Sequence, residues 1–157
     1  ATRHKIKMNK AKHRARLGIG EIDGVGVVLA MPLTFMNNSG QSVAPMMRDH
    51  GLKPDRVLIV SDDLDMDLAR VRLKPKGGSG GHNGHKSIIK NLGTEDYPRL
   101  KIGIHSDKRD ETTDFVLSRF TAEERVDING AIKRSVESIE CIVTQGLELA
   151  LSRTNEA

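Results

Sequence analysis

The chain has 157 residues, a length that suits one domain with a buried hydrophobic core. Aromatic residues make up only 3% of it and tryptophan is absent, which argues against the aromatic stacking platform of a single-strand nucleic-acid binder. No apolar run approaches the roughly 18 residues of a membrane helix. The single cysteine, Cys141, excludes an intrachain disulfide and indicates a reducing compartment. The net charge is +4, and it is distributed unevenly.

The amino-terminal segment is strongly basic. Seven lysines and arginines and no acid lie within residues 1–16. Such a patch suits a polyanionic partner such as RNA, and the alternative interpretation is a solvated arm that binds nothing. Residues 1–14 have no regular apolar period, so they are predicted to be an irregular basic head. The head also keeps a mitochondrial or plastid location open beside the expected cytoplasmic one.

The next segment predicts a β-hairpin followed by a helix. Two β-prone runs, Leu17–Ile22 and Val25–Leu29, are joined by Asp23-Gly24, a pair that suits the positive φ angles of a type I′ turn. A helix is predicted over Gly40–His50, with the polar residues before it as a cap. Pro45 is expected to delay or bend the start of this helix.

The rest of the chain alternates strands and helices. The predicted elements are strands over Arg56–Ser61, residues 69–74 and Leu100–Ile104, and helices over His85–Leu92 and Thr112–Phe120. A long helix begins at Thr121-Ala-Glu-Glu124, which has the sequence of a capping box, and its apolar stripe continues to Leu151. This pattern predicts one α/β domain over residues 1–157, with a mixed sheet flanked by helices.

Three polar clusters follow β-prone segments, at residues 34–40, 61–65 and 77–84. In an open α/β sheet, ligands bind beyond the carboxyl ends of the strands, so these clusters are candidate site residues. In the first cluster, Asn38 and Ser39 also have a simpler interpretation as a turn and helix cap.

The acidic cluster resembles the start of a calcium loop, with aspartates at positions 63, 65 and 67. Leu68 occupies the place of the required glycine and Lys74 that of the terminal glutamate, so a calcium loop is excluded. A magnesium site has no further support in the sequence. Asp63 and Asp67 are therefore interpreted as solvated loop residues, one of which caps a turn.

The third cluster is a glycine-rich loop, with five glycines in the eight residues 77–84. Such a loop lets a backbone approach a bulky or anionic group closely. It is neither a Walker loop nor a dinucleotide fingerprint. His82 and Asn83 lie at its end, where Asn83 can cap the following helix. A small-molecule or phosphate-binding domain that uses this loop is one open interpretation.

Taken together, the clusters resemble the bacterial-type peptidyl-tRNA hydrolase family. The stretches that carry the resemblance occur in the family's order and are TFMNNSGQSV (34–43), VSDDLDMDLARVRLK (60–74), GGSGGHNGHKSII (77–89), PRLKIGI (98–104) and DFVLSRF (114–120). The spacings also agree, with 25 residues from Asn37 to Asp62 and 21 from Asp62 to Asn83. The resemblance implies a monomeric α/β enzyme without metal or cofactor, which hydrolyses the ester between a peptide and the 3′ ribose of tRNA.

The resemblance also implies a role for each matching residue. A histidine acts as general base on water, and Asp62 matches the aspartate that holds this histidine in its basic tautomer. Asn37 and Asn83 match two asparagines that hydrogen-bond the substrate near the scissile bond. Phe35 matches a tRNA-contact position. His4, in Thr2-Arg3-His4, matches the family's catalytic histidine.

The chain departs from the family pattern at its amino-terminal end. The strand and glycine loop with which the family opens are absent, Lys5 replaces the asparagine after the histidine, and His4 lies closer to Asn37 than the family has it. We therefore expect a truncated or internally deleted member. The alternative function is a catalytically inactive RNA-binding member or fragment of the same family.

Overall fold

The computed structural model describes residues 1–106 and 117–156, and it is an α/β structure. Two compact units are present: Ala1–Val57 with Lys76–Pro98, and Leu58–Pro75 with the chain from Arg99 onward. The predicted α/β class is confirmed, although the strands form two three-stranded sheets instead of one. Most of the helix predicted over Thr112–Phe120 lies outside the described residues. No described helix is long and apolar enough to cross a membrane.

The first unit contains an antiparallel meander. Its strands, in the order β1-β2-β3, are β1 (Lys10–Lys12), β2 (Ala15–Ile22) and β3 (Val25–Pro32). The predicted hairpin of β2 and β3 is confirmed, with positive φ at both Asp23 and Gly24. His13 and Arg14 have the same positive φ angles between β1 and β2, so that connection is also a tight turn.

The head is ordered, which corrects the prediction of an irregular segment over residues 1–14. Residues Thr2–His4 form one 3₁₀ turn, and β1 pairs with β2. Ile6 is buried and packs on β2 at Gly20, where the missing side chain leaves room for it. A lysine-bearing edge strand and one buried isoleucine therefore hold the basic head against the sheet.

Two helices complete the first unit. These are α1 (Gly40–Asp49) and α2 (Asn83–Leu92), and α1 packs on the sheet through Met46. Pro45 lies inside α1, and the helix still begins at Gly40, so the proline does not delay its start although it removes one hydrogen bond and crowds the carbonyl four residues before it. Helix α2 begins two residues before its predicted start and ends at Gly93, which is left-handed.

The second unit contains a mixed sheet covered by helices. Its elements are β4 (Ile59–Asp67), β5 (Val71–Lys74), β6 (Arg99–His105), α3 (Ala122–Gln145) and α4 (Leu147–Glu156). Strand β6 is central, parallel to β4 and antiparallel to β5. The capping box of Thr121 and Glu124 is confirmed. The single long helix predicted up to Leu151 is wrong, because Gly146, at φ 96°, separates α3 from α4.

Candidate functional site

The two candidate asparagines of the first unit lie on elements that pack together. Asn37 is the middle residue of the 3₁₀ turn Met36–Asn38, and Asn83 is the first residue of α2. The turn contacts α2, and both asparagine side chains are exposed. Two amide groups, each with N–H donors and a carbonyl acceptor, are thus available to a ligand on the surface of this unit.

Two glycines allow these elements to approach closely. A Cβ atom at Gly84 would lie 2.7 Å from the Met36 sulfur, and one at Gly40 would lie 2.2 Å from the Ser87 carbonyl oxygen. The Gly40 N–H donates to Ser87 Oγ at 2.9 Å, which ties the start of α1 to the middle of α2. The glycines of the two motifs thus hold the asparagine-bearing turn against α2.

The cap of α2 is His82, and this corrects the prediction that Asn83 caps the helix. His82 Nδ1 accepts the N–H of Gly84 at 3.0 Å and that of His85 at 3.3 Å. Asn83 is already inside the first turn, so its side chain is not the cap acceptor. Ser39 does not cap α1 either, because its backbone is helical and its hydroxyl donates to the Met36 carbonyl at 2.8 Å.

Behind the cap lies a buried pair of aromatic rings. His85 is 1% exposed and Tyr97 is fully buried, and His85 Nδ1 and the Tyr97 hydroxyl share a hydrogen bond of 2.9 Å. The two rings stack with their centroids 5.9 Å apart, and the His82 ring meets the His85 ring edge-on at 5.0 Å. A continuous series of ring contacts therefore runs from Tyr97 to the helix cap.

Phe35 is an exposed apolar side chain beside the asparagine-bearing turn. It is 83% exposed and lines an open depression of about 470 Å³ together with Arg14, Leu33, Thr34 and Asn38. The Arg14 guanidinium donates to Gln41 Oε1 at 2.5 Å. A flat ring next to polar groups suits contact with a base or an apolar side chain of a ligand.

His4 lines a different depression. Its neighbours there, in a space of about 340 Å³, are residues of the head and of β2, namely Lys5, Ile6, Lys7, Asn9, Lys10, Ile19, Gly20 and Glu21. None of these residues also lines the depression beside Phe35. The His4 side chain is half-buried. The structure thus brings Asn37 and Asn83 onto neighbouring elements and gives His4 separate surroundings.

Part of the basic head is neutralised by α1. Asp49, at the end of α1, accepts from Lys12 Nζ at 2.7 Å and is 3.1 Å from His13 Nε2. These Lys12 and His13 hydrogen bonds lower the pKa of the Asp49 carboxyl from 3.8 to about 2. Lys12 is therefore already paired, whereas Lys5, Lys7 and Lys10 are exposed along the same head.

Asp62 lies in β4 of the second unit, in register with Ile102 of the parallel strand β6. The acidic cluster is thus part of a strand, and the predicted loop there is wrong. Asp63 Oδ2 accepts from Lys101 Nζ at 2.7 Å, with side-chain exposures of 12% and 14%, and Asp63 Oδ1 accepts the Asp65 N–H at 2.8 Å. Asp63 accepts this local N–H within β4, and it is neither the cap of a loop turn nor the solvated residue that was predicted.

The charge of Asp63 is stabilised despite its burial. Burial alone would raise the pKa of Asp63, yet the hydrogen bond from Lys101 and the N–H of Asp65 hold this pKa below its ordinary value of 3.8. The neighbouring Asp62 opposes that shift through like-charge repulsion. Within residues 1–106 and 117–156, no three histidine, cysteine, aspartate or glutamate side chains are grouped so that they could hold a metal ion.

Comparison with known proteins identifies the family. The family profile described as Peptidyl-tRNA hydrolase matches residues 1–157. A peptidyl-tRNA hydrolase of Lachnospira eligens is 38% identical over 156 residues, which cover 99% of this chain and 84% of that protein. The chain belongs to the peptidyl-tRNA hydrolase family. The family that the stretches at 34–43, 60–74 and 77–89 resemble is therefore confirmed.

Further relatives agree in sequence and in fold. A peptidyl-tRNA hydrolase of Bacillus cytotoxicus is 42% identical over 141 residues, which cover 89% of this chain and 76% of that protein. The crystal structure of peptidyl-tRNA hydrolase from Acinetobacter baumannii superposes with a TM-score of 0.91 at 33% identity, covering 99% of this chain and 80% of that one. The peptidyl-tRNA hydrolase fold is thus shown for this chain.

The comparison also corrects the prediction of an internal deletion. The alignment with the Lachnospira eligens protein spans 156 residues while covering 99% of this chain, which leaves no room for a missing helix between His4 and Asn37. The match of Thr2-Arg3-His4 to the family's histidine motif is therefore not the result of a deleted helix. His4 as the catalytic base stays a prediction.

Two features of the site were missed in the sequence. Lys101 lies in the predicted strand Leu100–Ile104, and nothing local indicates that it pairs with Asp63 across β4 and β6. The contact between His85 and Tyr97 joins residues twelve positions apart. The rarity of tyrosine, which occurs once in the chain, was the one available signal.

Proposed function

We propose that this chain hydrolyses the ester bond between the peptide and the tRNA of peptidyl-tRNA, and so frees tRNA for reuse in translation. The observation that carries the proposal is the match of the peptidyl-tRNA hydrolase family profile to residues 1–157. The intact asparagine motifs, held on adjacent elements by Gly40 and Gly84, support it.

The proposed chemistry is addition of water to an ester carbonyl. In this proposal the amide groups of Asn37 and Asn83 donate hydrogen bonds to the substrate near the scissile bond, where negative charge develops on the carbonyl oxygen. An uncharged amide can do this without pairing with the phosphates of the tRNA. Phe35 offers its exposed ring to the acceptor end of the tRNA.

The base in this proposal is an imidazole that Asp62 orients. A carboxylate that accepts one ring N–H leaves the other nitrogen able to take a proton from water. His4 is the histidine to test first on the resemblance of the tripeptide Thr2-Arg3-His4 alone, because no deleted helix accounts for its spacing from Asn37. His82 is less suited, since its Nδ1 already accepts two backbone N–H groups. The reaction requires neither a metal nor a cofactor.

The basic head is proposed to contact the phosphate backbone of the tRNA. Lys5, Lys7 and Lys10 are exposed on a segment that the buried Ile6 fixes to β2. A fixed row of lysines binds a polyanion without regard to its sequence, because the contacts are to phosphates. We further propose that the chain acts as a monomer in the cytoplasm.

The test is release of a labelled peptide from N-blocked aminoacyl-tRNA by this chain, with tRNA binding measured in parallel. We expect hydrolysis by the unaltered chain, and Asp62→Asn should lower turnover by about 100-fold or more while leaving binding nearly unchanged. Asn37→Ala and Asn83→Ala should each lower kcat/KM, whereas the matched control Asn129→Ala, on the exposed side of α3, should not. A chain that binds tRNA but releases no peptide would support the catalytically inactive RNA-binding alternative.

A further inference from the structure

We infer that the His82 cap, backed by the His85–Tyr97 pair, is a positioning device for Asn83. This inference rests on the proposed function, and it adds three residues to the proposed machinery without assigning any of them to the reacting atoms. We call His82, His85 and Tyr97 the capping stack. Its role is to fix the first turn of α2, and with it the direction in which the Asn83 amide points.

The first step of the argument is the cap itself. His82 Nδ1 accepts the N–H groups of Gly84 and His85, which are the two residues directly after Asn83. The ring of the residue before Asn83 therefore holds the backbone of the two residues after it. Because Nδ1 accepts, the neutral ring carries its proton on Nε2.

The second step is that the cap ring is itself held. It meets the His85 ring edge-on at 5.0 Å, and His85 is fixed by its 2.9 Å hydrogen bond to the Tyr97 hydroxyl. Both His85 and Tyr97 are buried, so their rings have little freedom to turn. The stack thus connects the buried side of α2 with the residue that caps its exposed end.

The third step is the weakness of the alternative support. The segment before the cap is rich in glycine, and Gly80 and Gly81 both have positive φ angles, which a glycine loop adopts and leaves easily. One backbone hydrogen bond, from the His82 N–H to the Ser79 carbonyl at 3.0 Å, holds the end of this loop, and the side-chain cap acts on the residues after Asn83. The exposed Asn83 side chain therefore depends on the capping stack for its orientation, because it sits on the turn that the cap creates.

Three substitutions separate the parts of the stack. His82→Ala removes the cap, and His82→Asn restores a side-chain acceptor of the kind that helix caps prefer. Tyr97→Phe removes only the hydroxyl that holds His85. The control is Thr94→Ala, which removes a turn hydrogen bond, Asp96 N–H to Thr94 Oγ1 at 3.0 Å, in the segment that carries Tyr97.

The decisive experiment is a double-mutant cycle on peptide release with Asn83→Ala as the second change. We expect His82→Ala and Tyr97→Phe to lower kcat by about 5- to 30-fold. His82→Asn should recover most of the loss, and Thr94→Ala should change kcat less than twofold. In the Asn83→Ala background, neither stack substitution should lower kcat further, since the group that the stack orients is gone.

Amide hydrogen exchange gives a readout that does not depend on activity. Exchange at Gly84 and His85 should accelerate in His82→Ala and return in His82→Asn. Equal fold-losses of kcat with and without Asn83 would overturn the inference, as would unchanged exchange in His82→Ala. If the unaltered chain does not hydrolyse its substrate, the proposed function fails separately from this inference. The same double-mutant cycle is then measured on the Kd for N-blocked aminoacyl-tRNA, and equal fold-changes of Kd with and without Asn83 would overturn the inference.

Discussion

Replacement of Gly40 by alanine should force α1 and α2 apart and weaken both the fold and the site. The new Cβ would lie 2.2 Å from the Ser87 carbonyl oxygen and 2.6 Å from Asn91 Nδ2, whereas ordinary contacts begin near 3.4 Å. The carbonyl is backbone of α2 and cannot rotate away, so the helices must separate by about 1 Å. Overpacking of this kind costs roughly 1–3 kcal/mol, which corresponds to a melting temperature about 3–10 °C lower.

The matched control is Gly26→Ala. Gly26 is an exposed residue of β3, and no atom lies within 4 Å of a Cβ built there. The same change should therefore leave the melting temperature unaltered or raise it slightly, because alanine restricts the unfolded chain. Thermal unfolding by circular dichroism measures both variants, and peptide release reports on Asn37, which lies just before Gly40 on the displaced segment. If Gly40→Ala and Gly26→Ala have the same melting temperature, the close approach of α1 and α2 is wrong.

Three further predictions concern the Lys101–Asp63 pair, the basic head and His4. Lys101→Met should lower the free energy of unfolding at pH 7 by about 1–3 kcal/mol, measured with urea. Because the pKa of Asp63 is lowered on folding, the pair stabilises the fold above about pH 4, and this stability is lost as the pH falls through the lowered pKa. The free energy of unfolding of the variant should therefore fall less steeply with decreasing pH in the acid range. Lys5, Lys7 and Lys10, the exposed lysines of the head, should be replaced together by glutamine. This change should reduce the slope of log K for tRNA binding against log salt concentration by about 2–3. The control Lys53→Gln should reduce the same slope by no more than about 1. His4→Ala should abolish hydrolysis if His4 is the base, and full retained activity would show that it is not.

The sequence predicted elements best where turn chemistry is unambiguous. The pair Asp23-Gly24 predicts a turn because glycine and aspartate tolerate positive φ, and the hairpin is present as predicted. The turn at His13 and Arg14 has similar angles but carries residues that rarely adopt them, so β1 was missed. The tertiary contact of Ile6 with β2 stabilises a segment whose local sequence favours no structure.

The residues of the candidate site were named from the family resemblance, and their roles stay predictions. They are Asn37, Asn83 and Asp62. Their surroundings depend on long-range contacts, such as Gly40 against Ser87 or Lys101 beside Asp63, which leave no local pattern. The cap of α2 was misassigned by one residue, because asparagine is the commoner cap and histidine can replace it only when Nδ1 faces the helix.

The arrangement of charge on β4 is consistent with the work proposed for Asp62. Successive residues of a strand point to opposite faces, so Asp62 and Asp63 face different surroundings although they are adjacent. Lys101 compensates the charge of Asp63 and outweighs the repulsion that Asp62 exerts on it. Because the Lys101 ammonium on β6 pairs with Asp63, a cation offsets the like-charge repulsion that arises where two aspartates are adjacent on β4. A compensated neighbour of this kind suits the acceptor role proposed for Asp62.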